Sequence, residues 1–318
     1  MAAVFLFGCK KEHSTPGSTA QKKYPVTFNM TDFTQTISSV NGKQQVNSLK
    51  VDSATANVAA YTTVLHLTIF DANGNVVKKL EQNSNVANYG VVSDSLAAGT
   101  YTVTVDAGQS LLKLNVGHPS SGLPTYATLA TGVIYYLAPG QNGAGVNGAS
   151  RINMGPWSDT FYGKLQFTVT NSPVDKPINM TRIVSKLEVD FNDVIPQNAA
   201  RVDLFMSRDD FEYFIGSGSP ALPDTITTRY IVPASVKGTS TYKISQLVLN
   251  TTTPFIVTLT AYDSANNIIA QHAVSNVTCK PNKRTILSGS FSNQVVNNNN
   301  GFTVSLDPSW GSPTTVRY

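Results

Sequence analysis

The sequence predicts an all-β fold of two tandem Greek-key β-sandwich domains, and three observations carry the prediction. Ser, Thr and Asn supply 92 of the 318 residues, the mixture expected of turns and half-buried strands. Apolar residues make up 41% and charged ones only 13%, too apolar for a disordered chain and too poor in charge for a long-helix protein. Short runs of alternating hydrophobicity recur at regular spacing, while no long segment shows a 3.6-residue period.

The runs follow in order. Residues 24–30 (YPVTFNM) alternate. Residues 62–70 (TTVLHLTIF) put Leu65, Leu67 and Ile69 on one face; Asn73-Gly74 then signals a two-residue hairpin turn and 75–80 returns. Residues 96–105 set Tyr101, Val103 and Val105 against threonines, and 111–116, 132–137 and 161–170 follow. Asn171 to Pro177, with two prolines in seven residues, reads as the linker. A second series runs through 183–191, 200–206, 242–249, 255–262, 267–274, 285–291 and 301–306. The expected divisions are 1–8, 9–23, 24–176 and 177–318. Short helical turns are expected at 207–214 and 233–238. The segment Leu67–Asp71 with Asn75–Val77 is echoed by Leu259–Asp263 with Asn267–Ile269, which reads either as two related domains or as two hairpins obeying the same rules.

The start of the chain carries its own signal. Eight apolar residues end in Gly8-Cys9, far too few for a membrane-spanning helix. Residues 1–8 read as the end of a truncated signal-peptide core. Leu6-Phe7-Gly8-Cys9 resembles a bacterial lipobox, with an aliphatic residue at −3, a departure at −2 (Phe7) and a small residue at −1. Cys9 is then the lipidated residue, and residues 9–23 a flexible tether holding the protein at the outer membrane. Cys279, left alone, reads as a small core residue.

Chemistry is sparse. His13, His66, His118 and His272 lack metal-ligand spacing, and His66, opposite Leu65 and Leu67, is expected half exposed. Asp71, Asn73 and Asn75 mimic the start of a calcium loop, but the glycine is misplaced and Gln82 stands at position twelve. Asp209, Asp210 and Glu212 read as a solvated turn. No catalytic, cofactor-binding or metal-ligating residue is assigned, no cofactor is expected, and the net charge of +4, partly in the tether lysines, argues against nucleic acid. Trp157 and Trp310, with Tyr135, Tyr136 and Tyr162, form the alternative functional reading: flat aromatic faces exposed for a surface glycan.

Several stretches together resemble the fimbrillin-type lipoproteins, the stalk and anchor subunits of type V pili. They are Gly8-Cys9, the hairpin 64–80, Tyr89-Gly90 leading into 96–103 (LAAGTYTV), 181–187 (TRIVSKL), 282–291 (NKRTILSGSF) and 301–306 with Trp310. The resemblance implies transthyretin-like sandwiches, no enzymatic activity, and assembly with other fimbrial subunits or surface proteins by β-strand exchange. No arginine precedes Arg151, so an Arg-specific protease has no site from which to free strand 24–30; Lys43 and Lys50 remain for a Lys-specific one. An uncut, lipidated subunit fits the anchor role better than the stalk. The C-terminal residues 311–318 carry Pro313, which argues against donation of a strand.

Overall fold

A computed structural model describes residues 21–33, 59, 61–115, 128–138, 154–250, 252–292 and 302–307. They form strands β1 (Lys23–Phe33), β2 (Val64–Phe70), β3 (Val76–Asn83), β4 (Val91–Ala97), β5 (Gly99–Gly108), β6 (Leu112–Asn115), β7 (Val133–Tyr136), β8 (Phe161–Val169) and β9 (Val174–Arg182). After these come β10 (Ser185–Phe191), β11 (Ala199–Phe214), β12 (Ser219–Ile231), β13 (Lys243–Val248), β14 (Phe255–Asp263), β15 (Ile268–Val277), β16 (Arg284–Gly289) and β17 (Thr303–Asp307). The all-β class is as expected. Among the described residues no helix is long and apolar enough to cross a membrane.

The first sandwich is a seven-stranded sheet, β3-β2-β5-β8-β9-β1-β4, folded over at its β8–β9 corner. Only Phe161–Arg182 and Tyr162–Thr181 pair there. Between its two halves lie Val26, Phe28, Leu65, Leu67, Ile69, Val103, Val105, Phe167 and Ile178. The alternation of β5 sends Val103 and Val105 into this core, and a strand's two-residue period sends Thr104 and Asp106 to the other face.

The second sandwich sets β13-β10-β16-β17 over β15-β14-β11, with β12 on the far edge of β11. Its core takes Leu187, Val189, Val202, Leu204, Val257, Leu259, Val274 and Leu287. In chain order, β10, β11, β12, β13, β14, β15 and β16 repeat the pairings of β1, β2, β3, β4, β5, β8 and β9, except that the β8–β9 corner has no counterpart between β15 and β16. In each domain the first strand lies antiparallel to the fourth and parallel to the last of the seven. This is the expected transthyretin-like plan, twice.

Four expectations need correction. The supposed linker 171–177 is a bend followed by the first half of β9, a strand of the first sandwich; the chain passes between sandwiches at Ile183-Val184, not at 176/177. Pro177 is tolerated because its side of β9 faces away from β1. The Asn179 carbonyl, of the same parity, lies against Gly163 of β8, so the missing N–H removes no bond to β1. Residues 96–105 are two strands with a corner at Ala98. Residues 207–214 are strand, with a bulge between Met206 and Asp209. A 3-10 turn does form at Ala234–Val236.

The internal echo resolves into turn chemistry. In both hairpins the leading Asp accepts hydrogen bonds from the backbone N–H two and four residues on and from an Asn side chain: Asp71 from Asn73 and Asn75, Asp263 from Ala265 and Asn267. Each loop spans three residues rather than two, closed by a left-handed residue, Gly74 (φ 80°) or Asn266 (φ 68°). Yet β2–β3 and β14–β15 are not equivalent hairpins, since β14–β15 corresponds to β5–β8. The domain repeat lies in the topology instead.

Candidate functional site: the first strand, the open edges and the seam

Strand exchange acts on strand slots and sheet edges, so the first strand is the place to begin. β1 is flanked on both sides. Seven residues from Lys23 to Asn29 pair antiparallel with β4, and seven register pairs from Val26–Val174 to Phe33–Met180 run parallel with β9. Val26 and Phe28 are fully buried and Met30 nearly so. Phe28 meets Phe167 edge-on at 5.1 Å between centroids. Met30 donates its N–H to the Gly90 carbonyl, on the β4 side. By strand alternation the N–H groups of Thr27, Asn29 and Thr31 therefore face β9. Asn29 Nδ2 also donates to Asp175 at 2.7 Å. The slot is thus a groove with alternate side-chain pockets, filled by the chain's own first strand.

The edges differ between the two domains. In the second sandwich β17 covers β16 as a fourth strand, with Val304 and Leu306 each 41% exposed. An ionic row across the outer face holds it. Lys243 meets Asp190 at 2.6 Å, Lys186 meets Glu188 at 3.2 Å, Arg284 reaches Glu188 at 3.3 Å and also grips Asp307 of β17. In the first sandwich the corresponding side of β9 is paired with β8 only at Phe161–Arg182 and Tyr162–Thr181, and no described strand pairs with its first half there. That edge carries Asp175, Lys176 and Pro177, the residue types that discourage strand addition.

The seam between the sandwiches gathers three of the aromatic residues singled out in the sequence, Tyr136, Trp157 and Tyr162. Trp157 is 1% exposed and donates Nε1–H to the Asp210 carbonyl at 2.7 Å. Tyr136 stacks edge-on against Trp157, and Tyr162 against Tyr213. Tyr135, Tyr136 and Tyr162 are all buried. The glycan platform is therefore overturned for these four residues: Tyr136, Trp157 and Tyr162 join the hydrophobic seam, and Tyr135 packs with Val133, Leu137, Met154 and Phe211. The distal half of β11 pairs with β7, so β6 and β7 extend the second sandwich's sheet although they come from the first half of the chain. At the β11–β12 tip the Tyr162 hydroxyl donates to the Ile215 carbonyl and Lys164 Nζ to that of Gly216. A Cβ at Gly216 would collide with the Leu129 backbone.

Two titratable groups sit where solvent was expected. His66 is buried, its Nδ1 2.6 Å from Asp106, with Glu81 at 3.8 Å. Burial alone would lower its pKa; the Asp106 carboxylate, the hydrogen bond to it and Glu81 outweigh burial and an opposing Lys113, and the net shift is upward. Asp209, Asp210 and Glu212 are buried along β11 rather than solvated. Asp209 accepts the N–H groups of Asp210, Leu249 and Asn250 at the bulge, and burial pushes its carboxyl up to about 7 against those bonds. Sequence reading missed these because a bulge shifts the strand's period. Cys279 is the small core residue expected, its thiol pushed up to about 11 by burial. Among the described residues no three His, Cys, Asp or Glu side chains converge as a metal site. Cys9, His13, His118, Lys43, Lys50 and Trp310 lie outside the described residues.

Two transthyretin-like sandwiches with a built-in first strand define the class, a fold also found in fimbrial anchors and adhesin candidates. The chain is similar to a candidate polysaccharide-binding protein of the DUF1812 family from Bacteroides thetaiotaomicron (13% identity, TM-score 0.52, covering 85% of this chain and 93% of that one). A candidate adhesin from the same organism matches at 10% identity and TM-score 0.52, over 92% and 98% of the two chains. The fimbrial anchor protein Mfa2 from Porphyromonas gingivalis matches at 13% identity and TM-score 0.50, over 91% and 98%. At such identities the likeness is one of fold. The chain belongs to DUF6562, a family of unknown function, whose model matches residues 156–317. No curated protein matches it.

Proposed function

We propose that the protein is a non-enzymatic, cell-surface lipoprotein that anchors or caps a fimbria-like polymer. Cys9 carries the acyl chains, the tether spans from the outer membrane to Lys23, and the partners are other fimbrial subunits or surface proteins. The observation that carries this reading is the state of β1: it follows directly on the tether and fills its own slot between β4 and β9, with Val26 and Phe28 buried. With no arginine ahead of Arg151, an Arg-specific protease leaves that strand in place, as an anchor requires. The Mfa2 likeness supports the same role. The glycan alternative is weakened by the burial of Tyr135, Tyr136, Trp157 and Tyr162.

The test is a fractionation. Cys9→Ser should move the protein from the membrane to the soluble fraction; unchanged membrane association sinks the lipoprotein claim. Wild-type protein extracted from native outer membrane and run unboiled in SDS should carry partner subunits in a slow-unfolding, high-mass band. A lone monomer band counts against the fimbrial role.

A further inference from the structure

We infer that the parallel pairing of β1 with β9 is a mechanical clamp, built so that a pull between the chain's N-terminal end and its second sandwich is resisted in shear. The inference rests on the reading that the protein is held at its N-terminal end, and it adds how that hold survives tension.

The direction of load follows from where the strands begin and end. Lys23 lies opposite Ala97, at the end of the first sandwich where β9 also begins. β9 runs parallel to β1 and leaves at Arg182, at the opposite end. Two junctions to the second sandwich lie at that far end. One is the backbone after Arg182, whose guanidinium grips Asp159 with two bonds at 2.6 and 2.9 Å and reaches Asn282 at 2.9 Å. The other is the seam at Tyr162 and Lys164. A third junction, where Gly74 and Asn75 of the β2–β3 turn meet Leu129 and Thr128, involves neither β1 nor β9. A pull on the tether therefore draws β1 along its own axis in one direction while the second sandwich draws β9 and β8 in the other. The ladder bonds from Thr27, Asn29 and Thr31 to β9 lie across that axis and are stretched together rather than in succession. So are the bonds to β4 and the seats of Val26, Phe28 and Met30. An antiparallel closing strand would place both attachment points at one end, and its bonds would break singly. Forced unfolding is governed by the height of the unfolding barrier, so simultaneous rupture means a slow and strong failure.

The test is single-molecule pulling on the full chain, expressed without lipid so that Cys9 is one handle. The second handle is an exposed cysteine. Ser264→Cys, in the second sandwich, loads the clamp in shear. Ala98→Cys, beside the Lys23 end, peels β1 from β4 bond by bond. At the same loading rate the Ser264 geometry should rupture at a several-fold higher force. Thr27→Pro, which deletes an N–H facing β9, should lower that force markedly. Asn29→Ala, which keeps the ladder and loses only the bond to Asp175, should lower it less and serves if Thr27→Pro does not fold. Equal forces in the two geometries, or a weaker Ser264 geometry, overturn the clamp. A Cys9→Ser protein that stays on membranes would instead overturn the anchor reading and leave the force measurement untouched.

Discussion

The two sandwiches share one plan and hold their first and last described strands by different physics. In the first, β1 is an interior strand fixed by apolar side chains, with Val26 and Phe28 fully buried. In the second, the added edge strand β17 is half exposed and pinned by Arg284 to Asp307 within a surface ionic row. Burial of a large side chain is worth several times an exposed ion pair. The difference teaches that the chain holds its first strand more firmly than the described strand nearest its C-terminal end.

Breaking the stronger hold gives the largest expected effect. Phe28→Ala removes a fully buried ring, and a loss of about 3–5 kcal/mol is expected, read as a lower urea midpoint for the first sandwich. Leu306→Ala on β17 should move the second sandwich's midpoint far less; equal shifts would erase the contrast. Trp157→Phe tests whether the sandwiches melt together. Losing the Nε1 bond to Asp210 and some volume should cost about 1–2 kcal/mol and split one transition into two.

The acid–base contrast sharpens the comparison further. Asp209, in the second sandwich, has a folded pKa of about 7 against an ordinary 3.8, so the folded state holds the proton more tightly than the unfolded one. Its contribution is favourable below about 3.8 and is lost as pH rises to about 7. His66, in the first sandwich, has a folded pKa above the ordinary 6.5. Its stabilising charge is fully present below 6.5 and lost as pH rises through the folded value. Asp209→Asn should therefore flatten the melting temperature below pH 7, and His66→Gln should flatten it above 6.5. The smallest effect is expected at the ionic row. Asp307→Ala should cost about 1 kcal/mol or less, seen as faster amide exchange confined to β17 and the facing edge of β16.

Much of the fold was legible in the sequence because strand alternation is local. β1, β2, β5 and β14 announce themselves through residues such as Phe28, Leu67, Val103 and Leu259. What was not legible depends on distant partners. Pro173 and Pro177 look like a linker unless one knows that Pro173 lies in the bend before β9 and that Pro177 stands on the side of β9 facing away from β1. The Asp209 region looks like a helical turn because its bulge breaks the two-residue period. β12 was missed because Pro220 and Pro223 interrupt an edge strand that tolerates them. For the site, Trp157 and Tyr162 were rightly singled out and wrongly placed outside. Whether a large aromatic faces solvent or a second sandwich is decided by a seam that no local pattern encodes.

The pairing of β1 also sets an order of events as the chain is made. Asn29 and Asp175, which bond across the β1–β9 ladder, are 146 residues apart in the chain. A chain that emerges N-terminus first during synthesis therefore delivers its first strand long before that strand's parallel partner, and such distant pairing slows folding. Until β9 arrives, Val26, Phe28 and Met30 have no closed slot to enter. The first sandwich is sealed late, by the segment that emerged first. During that interval its groove is open to whatever other strand is at hand, a window for meeting partners that the finished fold no longer offers.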